Sequence, residues 1–193
     1  MEIEVKANEI ILNKEINDLD KFVIEFIEVL NNLKIKYVLI AGYIPILFGR
    51  ARGTDDVDIF IQPLESLRFN EFFNHLYKKG FWCINTGDSN DALEYLTTNN
   101  AIRIAKKNTY APNMEMRFVK EEIDFEILDD NLKVKINGHE LIISPIELQI
   151  EFKRMNLRSP KDLEDAMYLE EIFRDKLDKQ KNDYYRKRIK NVR

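Results

Sequence analysis

Apolar residues recur at i, i+3 and i+4 spacing through Leu19, Phe22, Val23, Phe26, Ile27, Leu30 and Leu33, which predicts an amphipathic helix over Asp18 to Lys34. The next run, Tyr37 to Ala41 (YVLIA), is wholly apolar, as a strand buried on both faces would be. Gly42 ends that strand. Tyr43 to Gly49 reads as a short helix, with Pro45 in the first turn, where a missing N–H costs nothing. Asp56 to Ile61 (DVDIFI) alternates polar and apolar and predicts another strand. Leu64 to Lys79 repeats the helical spacing and is closed by Gly80. Short strands are then expected at Phe81–Ile84, Ala101–Lys107, Met114–Val119 and Ile123–Leu128, with a short helix at Ser89–Leu96. One or two more strands fit within Ile3 to Leu12. Asn137-Gly138, set between Leu132–Ile136 and Glu140–Ile143, predicts a hairpin, because a type I′ turn needs positive φ at both central residues. Ser144-Pro145-Ile146-Glu147 and Ser159-Pro160-Lys161-Asp162 each look like a capped helix start, the second helix running to about Lys176. The pattern predicts an α/β (α+β) fold: a mixed sheet with flanking helices and a helical C-terminal part. It divides the chain into an α/β core (1–143), C-terminal helices packed on it (144–176) and a tail (177–193).

Composition narrows the function classes. The 193 residues are 45% hydrophobic and 33% charged, which suits one globular domain and excludes a disordered chain. A net charge of −4 argues against a wholly basic nucleic-acid binder. One cysteine, Cys83, and two separated histidines, His75 and His139, exclude a disulfide framework and a Cys/His metal centre. The longest uncharged apolar run, Tyr37 to Gly49, falls short of the roughly 20 residues a membrane span needs. The N-terminus, MEIEVKANE, has no signal-peptide core, so a soluble, cytoplasmic protein is expected. The charge is uneven. Residues 174–193 hold nine Lys or Arg and three Asp. This tail reads either as a solvated, frayed helix end or as a basic arm meeting RNA or DNA phosphates.

Candidate chemistry concentrates between Gly42 and Ile61. Asp56 and Asp58 stand two apart on a strand, so their carboxylates share one face, while Val57, Ile59 and Ile61 face the core. Two such carboxylates repel unless a cation lies between them, and Mg²⁺ typically takes one or two carboxylates plus substrate phosphates. Upstream, a strand passes through Gly42 into a helix, whose first N–H groups suit an anion. The bland reading of Asp-x-Asp is a solvated sheet face.

Gly42 through Ile61 (GYIPILFGRARGTDDVDIFI) resembles the N-terminal signature of the DNA polymerase β-type nucleotidyltransferase superfamily. Its Gly-x-x-Arg-x-Thr-x-Asp-hydrophobic-Asp pattern falls on Gly49, Arg52, Thr54, Asp56 and Asp58. A second stretch, Leu148 to Leu169, is similar to the C-terminal motif of the AbiE-type toxin and minimal-nucleotidyltransferase branch, through Lys153, Arg158, Lys161, Asp162 and Asp165. The resemblance implies transfer of a nucleoside monophosphate from an NTP to an acceptor hydroxyl, with pyrophosphate released. It implies two Mg²⁺ ions held by Asp56, Asp58 and a third acid. Asp124, in the alternating Glu122–Ile127 stretch, is taken as that acid, with Glu126 the runner-up. Nucleotide binding falls to Gly42, Tyr43, Arg52, Thr54 and Lys153. Tyr43 stands where relatives carry Gly or Ser, and its ring would stack on a base or plug the pocket. Lys153 reads either as a surface lysine or as a contact to the triphosphate. Asp162 at N3 and Asp165 beside Lys161 have ordinary helix-stabilising readings. The resemblance implies an acceptor that is an RNA such as a tRNA end, a protein side chain or a small molecule such as an aminoglycoside, with a cognate toxin or antitoxin as a further partner. The alternative is a catalytically degenerate nucleotide-binding or partner-binding module of the same fold.

Overall fold

The computed structural model describes residues 2–6 and 8–191. The strands are β1 (Glu2–Lys6), β2 (Glu9–Asn13), β3 (Tyr37–Ile40), β4 (Asp56–Ile61), β5 (Phe81–Cys83), β6 (Ile102–Lys106), β7 (Asn113–Phe118), β8 (Leu132–Ile136) and β9 (His139–Ile143). The helices are α1 (Asp18–Asn32), α2 (Tyr43–Leu47), α3 (Ser66–Lys78), α4 (Ser89–Thr97), α5 (Glu122–Asp129), α6 (Ile146–Phe152), α7 (Pro160–Phe173) and α8 (Lys179–Asn191); a π-turn, Lys153–Leu157, extends α6. Among the described residues one mixed sheet joins the nine strands in the order β1-β2-β8-β9-β3-β4-β7-β6-β5. The pairs β2–β8, β3–β9 and β4–β7 are parallel and the rest antiparallel. None of the described helices is long and apolar enough to cross a membrane.

The sheet is coated unequally. Val57, Ile59 and Ile61 of β4, Met114 and Met116 of β7 and Ile102 and Ile104 of β6 join one large core with the apolar stripes of α1 and α3. On the opposite face, Val38, Ile127, Leu128, Leu148, Tyr185 and Ile189 make a smaller cluster under α5, α6 and α8, with Ile40 and Phe60 packed against it. That cluster leaves the β4-β7-β6 stretch of this face partly exposed, and the polar residues of β4 stand there.

Local chemistry explains several boundaries. Asn137 (φ 46°) and Gly138 (φ 84°) both adopt the positive φ of the tight hairpin joining β8 to β9. Ser159 accepts from the Asp162 N–H and Pro160 fills the first turn of α7.

Four expectations are corrected. Ile123–Leu128 is helix, not strand: Glu121 and Asp124 form a reciprocal cap, while Ile123 and Ile127, one turn apart, pack on the small cluster. The alternation misled because Phe125, which a strand here would turn to the core with Ile123 and Ile127, is exposed. Ser144 does not cap α6; Pro145 takes that position, and the Ser144 hydroxyl accepts from Gln149 Nε2 at 2.7 Å. The basic tail is neither frayed nor a free arm over its described part. It folds back as α8, with Tyr185 and Ile189 buried, Arg186 on Glu151 (2.8 and 3.0 Å) and Arg188 on Glu122 and Glu126 (3.0 and 3.3 Å). Lys181 and the Tyr185 hydroxyl both donate to Asp130. Its last two residues lie outside the described residues. Finally, Asp165 is not a surface partner of Lys161; it is fully buried among other cations.

Candidate active site

β4 carries Asp56 and Asp58 on its half-exposed face. The Thr54 hydroxyl donates to the Asp56 carbonyl at 2.9 Å and lies 3.1 Å from Asp56 Oδ1, which aims that carboxylate. Parallel pairing sets Asn113, Glu115 and Arg117 of β7 opposite Asp56, Asp58 and Phe60. The acid facing Asp58 across the ladder is therefore Glu115. Burial, then the neighbouring Asp56 and Glu115 charges, push the Asp58 carboxyl up to about 6, against the opposing pull of Arg117 and Lys153. Burial also acts on Glu115, but Arg103 and Arg117 hydrogen-bond it and hold it below the usual carboxylate range.

Asp124 is not brought to this ladder. It lies in the first turn of α5, with Oδ2 accepting from the N–H groups of Lys120 and Glu121 at 3.2 and 2.9 Å. The runner-up, Glu126, pairs with Arg188. Glu115 escaped notice because it sits in Asn-Met-Glu-Met-Arg-Phe, where a strand's polar face looks ordinary until the partner strand is known.

The turn after β3 is held at two points. Ala41 adopts a left-handed backbone, φ 57°, which is costly for a residue with a Cβ. Its N–H donates to the buried Gln149 Oε1 at 3.1 Å. Arg52 Nη2 donates to the Gly42 carbonyl at 2.8 Å. A Cβ on Gly42 would lie 3.0 Å from that same nitrogen, so glycine there permits the contact. Gly49, at φ 95°, ends the segment that opens with α2.

Tyr43 does not present its ring to this turn. It is fully buried, and its hydroxyl donates to the buried Asp20 at 2.8 Å; Asp20 also pairs with Lys14 at 2.8 Å. The expectation that the ring stacks on a base or plugs the pocket is thus corrected, and what Tyr43 offers the turn is backbone.

Lys153 is 1% exposed and so is no ordinary surface lysine. Its ammonium lies 3.0 Å from Asp165 and 3.4 Å from Asp162. Burial lowers its pKa, with Asp162 opposing. Asp165 also accepts a two-pronged contact from Arg52, at 3.0 and 2.9 Å, and a contact from Arg50. Three cations on one buried carboxylate tie α7, the π-turn and the segment before β4 into one frame. Arg50, Glu115, Gln149 and the hub role of Asp165 were not legible in sequence, since each acts through partners distant along the chain.

The donor set suits a hard divalent cation that shares its ligands with a phosphate. Asp56 and Asp58 offer two carboxylates on one face, and burial, then the neighbouring Asp56 and Glu115 charges, hold Asp58 above the usual carboxylate range. Among the described residues no group of three or more His, Cys, Asp or Glu side chains is already arranged to hold a metal ion, so any cation here leans on the Asp56–Asp58 pair.

A mixed sheet with paired strand carboxylates, flanked by a glycine turn braced by Arg52 and by a buried lysine, has the architecture of nucleotidyltransferase-like folds. The chain belongs to the family described as nucleotidyl transferase of unknown function (DUF2204), whose model matches residues 19–192. No curated protein matches it. Among solved structures it is similar to an antigenic nucleotidyltransferase-like protein from Paracoccidioides brasiliensis, with 16% identity, 90% of this chain and 88% of the other covered, and a TM-score of 0.52. It also aligns with the antibiotic-resistance factor ANT(2'')-Ia, with 8% identity, 91% and 94% coverage, and a TM-score of 0.46.

Proposed function

We propose that this nucleotidyltransferase moves a nucleoside monophosphate from an NTP to an acceptor hydroxyl, using Asp56 and Asp58 to hold Mg²⁺. The observation that carries the reading is the pair itself: two carboxylates at i and i+2 on the half-exposed face of β4, with Asp58 lifted to about 6 by burial and then by the neighbouring acidic charges. Bound there, Mg²⁺ would neutralise phosphate charge and act as a Lewis acid. The triphosphate would lie toward Gly42 and Lys153, where cations gather. The acceptor oxygen bonds to the α-phosphorus, the bond to the bridging oxygen breaks, pyrophosphate leaves with that electron pair, and the hydroxyl proton passes to solvent or a carboxylate. Thr54 orients Asp56 and Arg52 fixes the Gly42 turn; both are positioning residues.

Glu115, rather than Asp124, is the third acid on this reading, once its grip on Arg103 and Arg117 is exchanged for the cation. The Lys153–Asp165 stretch supports placement in the AbiE-type branch, and with it a toxin–antitoxin partner and work in the cytoplasm, where NTPs and Mg²⁺ are abundant. The test is incubation with Mg²⁺, each α-labelled NTP in turn, and total cellular RNA and protein, beside Asp58→Asn. Label transfer lost in the variant supports the reading; equal transfer by Asp58→Asn overturns it.

A further inference from the structure

The open face continues beyond the carboxylates and ends in an aromatic pair. Ladder partners run Asp56, Asn113, Ala105, Trp82 in a single row across β4, β7, β6 and β5. Phe81 and Cys83 flank Trp82 and are buried in the large core, so the indole stands on the same face as Asp56 and Asp58. At a strand spacing of about 4.8 Å, the Trp82 backbone lies about 14 Å from that of Asp56. Trp82 Nε1 donates to the Thr109 carbonyl at 2.9 Å, which fixes the indole. Tyr110 packs edge-on against it, with centroids 5.4 Å apart, and is 69% exposed. Asn113 Nδ2 donates to the carbonyls of Asp55 and Tyr110, tying this corner to the acid strand, and its buried Oδ1 has no partner among the described residues. In the next row, Arg103 stands opposite Glu115 with its guanidinium half-exposed.

We propose that Trp82, Tyr110 and Arg103 form the acceptor subsite, and that the acceptor is the 3′ end of a single-stranded nucleic acid. The inference rests on the transfer reading above. In-line displacement sets the attacking hydroxyl opposite the leaving pyrophosphate. With the triphosphate toward Gly42 and Lys153, on the β3 side of β4, the hydroxyl arrives over β7, β6 and β5. A base stacks on the exposed Tyr110 ring beside the half-buried Trp82 whatever its identity, and the arginine beside it meets the adjoining phosphate.

Trp82 is the only tryptophan, so its fluorescence reports this corner alone. Titration of an unstructured oligoribonucleotide into the whole protein should quench that signal saturably, more weakly at higher salt. An oligodeoxyribonucleotide and a mononucleotide, run alongside, separate RNA, DNA and free nucleotide as sources of the base. By anisotropy of a labelled oligoribonucleotide, Trp82→Leu with an unchanged thermal midpoint should lose about tenfold or more in affinity, and Trp82→Phe should restore most of it. Oligonucleotide binding with unmoved fluorescence and equal affinity in Trp82→Leu overturns the subsite. Label transfer to protein or a small molecule with no oligonucleotide binding overturns it too, and leaves the transfer reading standing. Quenching by RNA with no label transfer in any assay supports the nucleic-acid site but overturns the transfer reading on which its acceptor role rests.

Discussion

Arg52 and Asp165, 113 residues apart, meet through two hydrogen bonds of 3.0 and 2.9 Å, and the same guanidinium reaches back to the Gly42 carbonyl. The turn at the head of α2 is therefore braced from a helix near the far end of the chain.

Removing Asp165 should be among the most damaging single changes. Asp165→Ala strands Lys153, Arg50 and Arg52 beside a vacated buried position. Breaking a buried pair from one side costs about 3–5 kcal/mol. Chemical denaturation should show a loss of that order, whereas Arg52→Lys should fold but lose the two-pronged contact. For Arg52→Lys, steady-state kinetics should show a raised KM for NTP.

Asp58 should trade stability for function. Its folded pKa of about 6 lies above the unfolded value of 3.8, so the native state binds the proton more tightly. Its charge therefore weakens the fold above pH 6, and that penalty fades as pH falls from about 6 towards 4. Asp58→Asn should be inactive yet more stable at neutral pH, by about 2 kcal/mol or less. Mg²⁺ should raise the thermal midpoint of the natural protein but not of the variant. Acid should weaken Mg²⁺ binding as pH drops through about 6, because the proton competes for the same carboxylate.

Tyr43→Phe separates core from site. It removes the donor to buried Asp20 and should cost about 1–3 kcal/mol. At a temperature where the variant is folded, its KM for NTP should match the natural protein. A large KM change with intact stability would return Tyr43 to the binding site.

Truncation before Lys179 should lower the thermal midpoint. It uncovers the small cluster at Leu148 and Ile127 and leaves Glu151, 4% exposed at its side chain, without Arg186. A truncated protein with an unchanged midpoint and reduced salt sensitivity of RNA binding would instead support the free basic arm.

The elements that form the ladder at Asp56 and Asp58 were largely legible in the sequence because their signals are local. The YVLIA run, the DVDIFI alternation and the Asn137-Gly138 turn each state their own conformation. The same locality explains the failures. Glu122–Ile127 alternates like a strand over six residues, yet a capping box and a one-turn apolar repeat made it a helix. Glu115 became a neighbour of Asp58 only through the parallel register of β4 and β7. Lys153 looked like any helix lysine until Asp162 and Asp165 enclosed it. Arg186 and Arg188 looked like a basic arm because their acidic partners are dispersed through 122–151.

The order β4-β7-β6-β5 has an evolutionary reading. The strands on one flank of the carboxylates come from a single unbroken stretch, Phe81 to Phe118, bounded by a glycine turn at Gly80. The opposite flank is stitched together from two distant stretches that must change in concert. One flank is thus open to replacement by a single recombination event, while the other resists it. Because β7 carries Glu115 opposite Asp58, relatives sharing this fold should diverge first between Gly80 and Lys107, and a graft of β5, α4 and β6 is the natural route to retargeting the enzyme.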